Sequence, residues 1–330
     1  MINLIVSDSY DPAKNLAIEE FLTSKFITKD PILFIWQNEN TIVVGRNQNT
    51  YAEINVQAAL NDDVKIVRRN TGGGTVFQDL GNVCFSLIVN NDKNYSTNFE
   101  LLLKPIINYL KQKGLNANFH GRNDIEIDGY KVSGNAQLQN KLKVLQHGTL
   151  LFDVDLSKIQ KYLNIDKEKI KHQKVKSNIA RVANIKKLLD DIGIKIDIKQ
   201  FIDEVIKSYT ISEEINKIDY DKNIVQELEK KYNSKDWVFQ KNSDFDYTSK
   251  KYLENKGMVE VNIKIYNGIV EMIKFYGDFL GYKGTEELEQ SLKNKKYEYD
   301  NLKDIFLRFD LKKIFGENFE ANDLLSLCFN

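Results

Sequence analysis

The sequence predicts an α+β protein in which mixed and antiparallel β-sheets are flanked by helices, followed by a small α+β domain at its C-terminal end. Asp128-Gly129 and Asn267-Gly268 stand between extended runs, which is the pattern of antiparallel hairpins. Amphipathic helical segments accompany these runs. At 330 residues the chain is long for one domain, and a length prior of roughly 150 residues per domain predicts two.

The first part of the chain is expected to open with a helix. Asp11-Pro12 has the form of an N-cap and a first helical position, and apolar residues follow it at helical spacing. Two β-branched and aromatic runs, 32–37 and 41–46, predict a hairpin. The next elements expected are a short helix over 52–60 and strands over 64–69, 75–77 and 83–89. The triplet Gly72-Gly73-Gly74 therefore joins two strands.

The middle of the chain continues with an amphipathic helix over 99–110 that ends at Gly114. An irregular polar stretch over 167–180 is expected to be an exposed loop. The other elements expected here are strands over 125–127, 130–133 and 143–152, mostly helical structure over 158–208, and a charged helix over 219–235.

A polar stretch from Lys241 to Lys251 is the best candidate for a linker. We therefore divide the chain into a larger domain of residues 1–245 and a smaller domain of residues 246–330. The smaller domain is expected to be an α+β unit of its own. Its expected elements are a hairpin of strands over 259–266 and 269–276 and helices near 286–293, 302–309 and 311–315.

Composition limits the compartment and the partners. The formal net charge is zero, from 47 basic and 47 acidic residues, so no global field attracts nucleic acid. Cys84 and Cys328 have no metal-like spacing and do not suggest a disulfide framework. The N-terminus lacks a secretion-signal pattern, and no apolar run approaches the roughly 18 residues of a membrane span. We expect a cytoplasmic monomer that binds neither nucleic acid nor membranes.

The segment from Arg68 to Phe77, RRNTGGGTVF, combines two of the six arginines with three successive glycines. Arginine supplies a planar, permanently charged fork that binds phosphate or carboxylate. Glycines permit positive φ and let backbone N–H groups approach a ligand. The segment therefore predicts an anion-binding site. The alternative is a flexible turn with a solvated arginine pair.

Three further segments place polar residues on or beside strands of one mixed sheet: GRND at 121–124, KVSGNA at 131–136 and HGTLL at 147–151. They can therefore converge on the glycine segment. Small residues surround Lys131, so its ammonium group can extend into a pocket and neutralise an anion. Considered alone, this lysine would be interpreted as a surface residue.

Together these motifs resemble the lipoate-protein ligase family, within the group that includes biotin ligases and octanoyl transferases. The resemblance covers the first 250 residues almost continuously, and the tail resembles the family's accessory domain. It implies a biotin/lipoate ligase-like catalytic domain over 1–245 and an accessory domain over 246–330. The motifs that carry it are SDSYDP at 7–12, NLAIEE at 15–20, GRNQN at 45–49, RRNTGGGTVF at 68–77, DLGN at 79–82, GRND at 121–124, KVSGNA at 131–136, HGTLL at 147–151 and RVANI at 181–185.

The resemblance implies a two-step reaction. Lipoate and ATP form lipoyl-AMP and pyrophosphate, and the lipoyl group then passes to a lysine of a carrier domain. Lys131 matches the family's essential catalytic lysine, which would separate two reacting anions. The implied partners are lipoyl domains of 2-oxoacid dehydrogenase E2 subunits and the H protein of glycine cleavage, and Mg²⁺ is implied besides ATP.

The resemblance also assigns a nucleotide site. Asp124 is a candidate ligand for Mg²⁺, although Asn123-Asp124 before a strand is also ordinary turn chemistry. His147 is expected to contact the adenylate phosphate, or to be a core histidine. The residues expected to bind ATP or lipoyl-AMP are Arg69, Gly72, Gly73, Gly74, Thr75, Val76, Phe77, Asn82, Asn123, Asp124, Lys131, His147 and Gly148.

Lipoate is expected to contact Arg46, Lys131 and Val76, and Arg122 is a further candidate for a phosphate or lipoate contact. The alkyl chain and dithiolane ring require an apolar slot. Candidates for its walls, equally plausible as plain core, are Leu16, Phe34, Trp36, Val43 and Val76.

Carrier docking is assigned to Lys174, Lys176 and Arg181, with a solvated basic face as the alternative. The chain departs from the family pattern at two positions. Gln78 stands where a histidine is common, so acid-base chemistry at that position cannot be carried over. Ile179 stands where some relatives have a further basic residue, which leaves one phosphate or carrier contact in doubt.

A second function is possible on the same scaffold. Octanoyl transferase and amidotransferase relatives move acyl groups between carriers through a cysteine thioester, without ATP. Cys84 is the plausible nucleophile for that chemistry. It lies in the apolar run Val83-Cys84-Phe85, where a free cysteine is most often an inert core residue.

Overall fold

The computed structural model describes residues 2–91, 95, 98–164, 182–210, 215–239 and 245–329. Helices and strands alternate irregularly along these ranges, and the predicted α+β class is confirmed. The strands are β1 Ile2–Val6, β2 Ile32–Trp36, β3 Thr41–Val44, β4 Lys65–Arg68, β5 Val76–Gln78, β6 Asn82–Asn90, β7 Ala117–His120, β8 Asp124–Ile127, β9 Tyr130–Gln139, β10 Lys143–Leu151, β11 Ile215–Lys217, β12 Tyr247–Leu253, β13 Gly257–Tyr266 and β14 Ile269–Gly277.

The helices include α1, whose N-cap is Asp11 and whose first residue is Pro12, as predicted. The Asp11 carboxylate accepts hydrogen bonds from the backbone N–H groups of Ala13 and Lys14, which have no partner within the helix. The helices are α1 Pro12–Ser24, α2 Thr50–Glu53, α3 Val56–Asn61, α4 Phe99–Gln112, α5 Leu156–Tyr162, α6 Ile185–Asp191, α7 Ile198–Thr210, α8 Lys222–Asn233, α9 Lys235–Phe239, α10 Glu286–Leu292, α11 Tyr299–Phe306, α12 Leu311–Phe315 and α13 Ala321–Cys328.

The largest sheet has the strand order β11-β1-β2-β6-β10-β9-β8-β7. β1 runs parallel to β2 and β11, and the other pairs are antiparallel, so the sheet is mixed. Helices α4, α6 and α7 cover one face, and α1 and α8 cover the other. Alternate residues of β2 enter the two cores: Leu33 packs with the first group, and Phe34 packs with the second.

The hairpin predicted for 32–37 and 41–46 is wrong. β2 lies between β1 and β6 in the large sheet, whereas β3 is the central strand of a separate three-stranded sheet with the order β4-β3-β5. All five residues of β2 are buried, as expected for a strand with helices on both faces. The side chain of Asn38 is also buried in the connection and hydrogen-bonds to Asn15 and Gln78.

The C-terminal domain contains the antiparallel sheet β12-β13-β14 with α10 to α13 packed around its own apolar core. Its hairpin at Asn267-Gly268 was predicted, whereas α13 was not. β12 begins at Tyr247, so the last part of the predicted linker is a strand. Within the described ranges, no helix is both long enough and apolar enough to cross a membrane.

Candidate functional site

A cavity of about 150 Å³ lies where the glycine segment meets β9 and β10 of the large sheet. Apolar and polar groups share its wall. The residues lining it are Leu16, Trp36, Val43, Arg69, Gly73, Gly74, Thr75, Val76, Gln78, Cys84, Asn123, Lys131, Gly134, Asn135, Ala136, His147, Gly148 and Thr149. The predicted convergence of the glycine, Lys131 and His147 segments is therefore observed.

Lys131 reaches this cavity from β9 with a partly exposed side chain. Its Nζ lies 2.8 Å from Asp124 Oδ1 on the neighbouring strand β8. A Cβ atom placed on Gly134 would come within 3.2 Å of Nζ, so the absence of a side chain there leaves room for the ammonium group. The cation is thus held beside the glycine segment by one carboxylate.

The two arginines of the segment were expected to present their forks to an anion, but both guanidinium groups hold protein oxygens instead. Arg68 is fully buried and donates to backbone carbonyls of Gly45, Gln48 and Val238, among others. Burial lowers its pKa to about 10. Arg68 therefore connects the GRNQN segment to α9, as an internal crosslink of charge-assisted hydrogen bonds.

Arg69 lines the cavity, but its N–H groups donate to oxygens of the protein, mostly within the glycine segment. It donates to the carbonyls of Gly72 and Gly74, at 2.7 and 2.8 Å. It also donates to the carbonyl of Val43 and the hydroxyl of Thr71. In this conformation Arg69 shapes the loop, and a direct contact between Arg69 and ATP stays a prediction.

The three glycines have different surroundings. Gly73 has φ +88°, which favours glycine, and its N–H donates to the carbonyl of Phe279 in the C-terminal domain at 3.2 Å. A Cβ on Gly72 would lie 2.5 Å from the same carbonyl, whereas a Cβ on Gly74 would meet nothing within 4 Å. Gly72 thus permits the domains to touch, and Gly74 keeps the cavity open.

The C-terminal domain also binds two of the arginines proposed as ligand contacts. Arg46 Nη2 lies 2.8 Å from Glu286 Oε1, and Arg122 Nη1 donates to the carbonyl of Lys256 at 2.6 Å. Neither side chain lines the cavity. The structure therefore does not bring Arg46 or Arg122 together with the other predicted site residues.

Four more predicted nucleotide-binding residues are not among those that line the cavity: Gly72, Phe77, Asn82 and Asp124. Asp124 lies next to it, where it pairs with Lys131. Gly72 faces Phe279 as described. The side chain of Phe77 packs against the ring of Tyr162 because β5 alternates, with Val76 and Gln78 facing the cavity. Asn82 is fully buried, and its amide donates to the Cys84 sulfur at 3.1 Å.

Four of the five apolar residues predicted to form a lipoate slot line the cavity, and their contact with lipoate stays a prediction. Leu16, Trp36, Val43 and Val76 line the cavity. Phe34 does not, and it stacks against Trp36 from inside the core.

Both ring nitrogens of His147 are engaged. Nδ1 lies 2.8 Å from Glu19 Oε1, and Nε2 lies 2.7 Å from Thr71 Oγ1. The ring is buried while still lining the cavity. A contact with the adenylate phosphate, which stays a prediction, requires one of these bonds to break.

Gln78 lines the cavity. Its Oε1 accepts a hydrogen bond from Asn38 at 2.8 Å, and Asn38 in turn accepts from Asn15. A chain of neutral amides thus fixes this side chain, and it cannot act as an acid or base near neutral pH.

A metal site requires several ligand side chains close together. Among the residues with described placement, no three or more His, Cys, Asp or Glu side chains group in a way that could hold a metal ion. Mg²⁺ typically binds one or two carboxylates together with nucleotide phosphates and water. Asp124 fits as one such ligand beside Lys131, and not as part of an all-protein cage.

Cys84 lines the cavity from β6, but its environment is unsuited to a thiolate. The thiol is almost fully buried, and burial together with the charge of Glu19 raises its pKa. A nucleophilic cysteine requires a lowered pKa. The geometry therefore weighs against the thioester alternative.

Lys174, Lys176, Ile179 and Arg181 lie outside the described residues. Val182, which follows them, pairs with Lys131 in an isolated parallel bridge, and the Ala183 N–H donates to the Lys131 carbonyl. A larger cavity of about 480 Å³ lies between α4 and α7, but it contains none of the predicted site residues.

The chain is similar to proteins of one known family along most of its length. Residues 11–210 match the family described as "Lipoyl protein ligase A/B catalytic domain". The chain belongs to this family. Residues 242–327 match "Bacterial lipoate protein ligase C-terminus", so the ligase family's accessory domain is present as well.

Similar family members cover almost the whole chain. The probable lipoate-protein ligase A of Mycoplasma pneumoniae is 39% identical over 317 residues, covering 95% of this chain and 94% of the relative. Lipoate-protein ligase LplJ of Bacillus subtilis is 34% identical over 324 residues, covering 97% of each. The resemblance stated from the motifs is confirmed.

Solved ligase structures confirm the fold. The P. falciparum LipL1 structure, in complex with lipoate, has a TM-score of 0.81 at 27% identity and covers 99% of this chain and 97% of that one. A lipoate-protein ligase A bound with ATP has a TM-score of 0.62 at 22% identity, covering 72% and 98%. The second likeness shows the fold alone.

Sequence reasoning missed the two residues that hold His147. Glu19 was noted only within a motif, and Thr71 only within the glycine segment. The available signal was a pair of glutamates, Glu19 and Glu20, between the apolar stretches Leu16–Ile18 and Phe21–Leu22 of one helix. On such a helix at least one carboxylate is directed at the core and requires a partner.

Proposed function

We propose that the chain is an ATP-dependent lipoate-protein ligase that forms lipoyl-AMP and transfers the lipoyl group to a lysine of a carrier domain. The observation that carries this proposal is one cavity lined by the Lys131 ammonium group, the glycine loop and apolar side chains. Such a wall suits a substrate with an anionic head and an apolar body. Relatives named as lipoate-protein ligases, and a structure named as a complex with lipoate, support lipoate as the acyl substrate.

In the first step, a carboxylate oxygen of lipoate attacks the α-phosphorus of ATP, and the bond to the pyrophosphate oxygen breaks. Two anions must approach each other, so a fixed cation lowers the barrier. Lys131 supplies that cation by exchanging the Asp124 carboxylate, 2.8 Å away, for substrate oxygens. Bound Mg²⁺ would neutralise the phosphates, and Asp124 is the residue that could help to hold it.

In the second step, the amine of a carrier lysine attacks the carbonyl carbon of lipoyl-AMP, an amide forms and AMP leaves. We propose lipoyl domains of 2-oxoacid dehydrogenase E2 subunits or the glycine-cleavage H protein as carriers. We assign their docking to Lys174, Lys176 and Arg181, because a carrier domain with an acidic surface would be attracted by a basic segment. We further propose that the protein acts as a monomer in the cytoplasm.

The test is lipoate-dependent exchange of labelled pyrophosphate into ATP. Wild-type protein should catalyse exchange, Lys131→Ala should lose it, and Lys141→Ala, an exposed lysine on the turn between β9 and β10, should retain it. Absence of exchange in the wild type would reject the adenylation step, and full exchange in Lys131→Ala would reject the catalytic role of Lys131.

A second assay supplies purified lipoyl-AMP and a lipoyl domain. Neutralising Lys174, Lys176 and Arg181 together should reduce transfer while sparing exchange. Equal loss of both half-reactions would reject a docking role for these residues. ATP-independent transfer from an acylated carrier, abolished by Cys84→Ser, would instead support the thioester alternative.

A further inference from the structure

Two hydrogen-bond chains end on the carboxylate of Glu19, a residue of α1 that is 3% exposed. The first begins at the glycine loop, where Arg69 Nε donates to Thr71 Oγ1 at 3.0 Å. The Thr71 hydroxyl lies 2.7 Å from His147 Nε2. His147 Nδ1 then lies 2.8 Å from Glu19 Oε1. The loop that shapes the cavity is thus connected to a buried acid through two side chains.

The second chain begins at the apolar wall. Trp36 Nε1 donates to the hydroxyl of Ser86 at 3.1 Å, and Ser86 donates to Glu19 Oε1 at 2.5 Å. Trp36 and His147 both line the cavity, while Ser86 and Glu19 lie behind it. One carboxylate therefore fixes the wall expected to hold the acyl chain and the loop expected to hold the nucleotide.

The chains have a defined direction because a carboxylate only accepts hydrogen bonds. In a neutral imidazole ring, the His147 proton therefore lies on Nδ1, which leaves Nε2 as the acceptor for the Thr71 hydroxyl. Thr71 can then accept from Arg69 with its own oxygen. With a proton on Nε2 instead, His147 and Arg69 would both donate to the Thr71 oxygen, and the Thr71 proton would need another acceptor.

Charge supports the same arrangement. Burial lowers the pKa of Arg69 to about 10, and the charge of Glu19 opposes that shift. An isolated cation inside the protein is costly, and a buried counter-charge offsets the cost. Glu19 thus stabilises Arg69 without touching it.

We propose that Glu19 is a positioning residue for adenylation, which holds His147 in its Nδ1-protonated form and through it fixes Thr71, Arg69 and the glycine loop. This inference rests on the proposed ligase function. Glu19 itself does not line the cavity and contacts neither expected substrate.

The first test is independent of activity. Full-length protein labelled with ¹⁵N-histidine gives long-range ¹H–¹⁵N correlations that distinguish the two neutral forms of the imidazole. His147, assigned by comparison with a His147→Gln variant, should be protonated on Nδ1 in the wild type. In Glu19→Gln the amide can donate to Nδ1, so the form protonated on Nε2 should appear. A wild-type His147 protonated on Nε2 would overturn the proposal.

The second test is kinetic and uses pyrophosphate exchange. Glu19→Gln and Thr71→Val should each raise the KM for ATP by roughly tenfold, the scale of one hydrogen bond within a charged network. Thr71→Ser, which retains the hydroxyl, should recover most of that loss. A merely structural role would lower Vmax through the folded fraction and leave KM unchanged, and that result would overturn the proposal. If the wild type shows no exchange, the ligase proposal fails, while the imidazole measurement still tests the chain of bonds.

Discussion

The ammonium nitrogen of Lys131 lies 2.8 Å from Asp124 Oδ1, across two neighbouring strands and beside the glycine loop. The Asp124 carboxylate holds the Lys131 ammonium group at the edge of the cavity. Because the pair is partly exposed, its carboxylate can be exchanged for a substrate oxygen at modest cost.

Asp124→Asn should reduce pyrophosphate exchange by roughly tenfold, because the ammonium group loses the partner that orients it. Lys131→Ala should cost more, about 10²- to 10³-fold, the scale of removing one group that stabilises transition-state charge. Asp128→Asn is the control, since Asp128 is exposed in the turn after the same strand and accepts a hydrogen bond from Asn116. Equal activity of Asp124→Asn and Asp128→Asn would show that the Asp124 contact is incidental.

Gly72→Ala and Gly74→Ala should separate two roles within one loop. The added methyl group at position 72 would press on the Phe279 carbonyl, so we expect a loss of about 1–3 kcal/mol in unfolding free energy. The same methyl at position 74 meets open space and should leave stability within about 0.5 kcal/mol. Thermal and urea unfolding of both variants measures this difference, and equal destabilisation would contradict it.

Cys84 should react slowly with thiol reagents, because burial raises its pKa and hides the sulfur. Alkylation by iodoacetamide at pH 8, followed by mass spectrometry, should modify Cys84 far more slowly in folded than in urea-unfolded protein. Cys84→Ser should retain ATP-dependent exchange within a few-fold of wild type. Rapid labelling of folded protein, or loss of exchange in the serine variant, would contradict an inert cysteine.

Glu20 should make stability depend on pH. Burial alone would raise the pKa of its carboxyl, but hydrogen bonds from Lys231, Tyr232 and Asn70 outweigh that effect and lower it. A lowered folded-state pKa stabilises the fold above the unfolded value of 4.5, and this contribution disappears as pH falls through the folded-state pKa.

The measurement compares Glu20→Gln with wild type. The variant should be less stable at pH 7 by about 1–3 kcal/mol, the usual cost of breaking a partly buried charged hydrogen bond. The gap should narrow as pH falls below 4.5, because the carboxyl of the unfolded chain then takes up a proton before that of the folded protein does. A gap that stays constant from pH 7 to pH 3 would mean that charge at this position does not contribute.

Arg68→Lys should destabilise the fold by about 3 kcal/mol or more, because a lysine keeps the charge but cannot reach the carbonyls that the planar fork joins. Arg308→Lys, at an exposed position of the C-terminal domain, is the control and should change stability by less than about 0.5 kcal/mol. Urea unfolding of both variants measures the two changes in unfolding free energy. Similar losses for both variants would refute the crosslinking role of Arg68.

Local patterns predicted the elements whose signals lie within a few residues. The N-cap of α1, the turn at Asp128-Gly129 and the hairpin at Asn267-Gly268 each depend on neighbours in sequence, and each is observed. The pairing of β2 and β3 failed because strand partners are chosen by burial on both faces of a sheet, which a short segment does not encode.

The candidate site shows the same contrast between signals from neighbouring residues and contacts between residues that are distant in sequence. Lys131 and Gly74 line the cavity, as the small residues beside them in the sequence suggest. Arg46 and Arg122 do not line it, and their partners, Glu286 and the Lys256 carbonyl, lie 240 and 134 positions further along the chain. In the sequence, an arginine next to a motif typical of phosphate binding has the same pattern whether its side chain faces a ligand or another domain.

Arg68 also bears on the order of folding. Its guanidinium group donates to the carbonyls of Trp237 and Val238, which lie 169 and 170 positions away. Until α9 has packed in place, burial of this charged group therefore lacks these hydrogen bonds and is energetically costly. During synthesis the glycine segment leaves the ribosome long before that helix exists. The catalytic half of the molecule is therefore expected to reach its final arrangement late, once the whole N-terminal domain is available, rather than growing outward from its most distinctive motif.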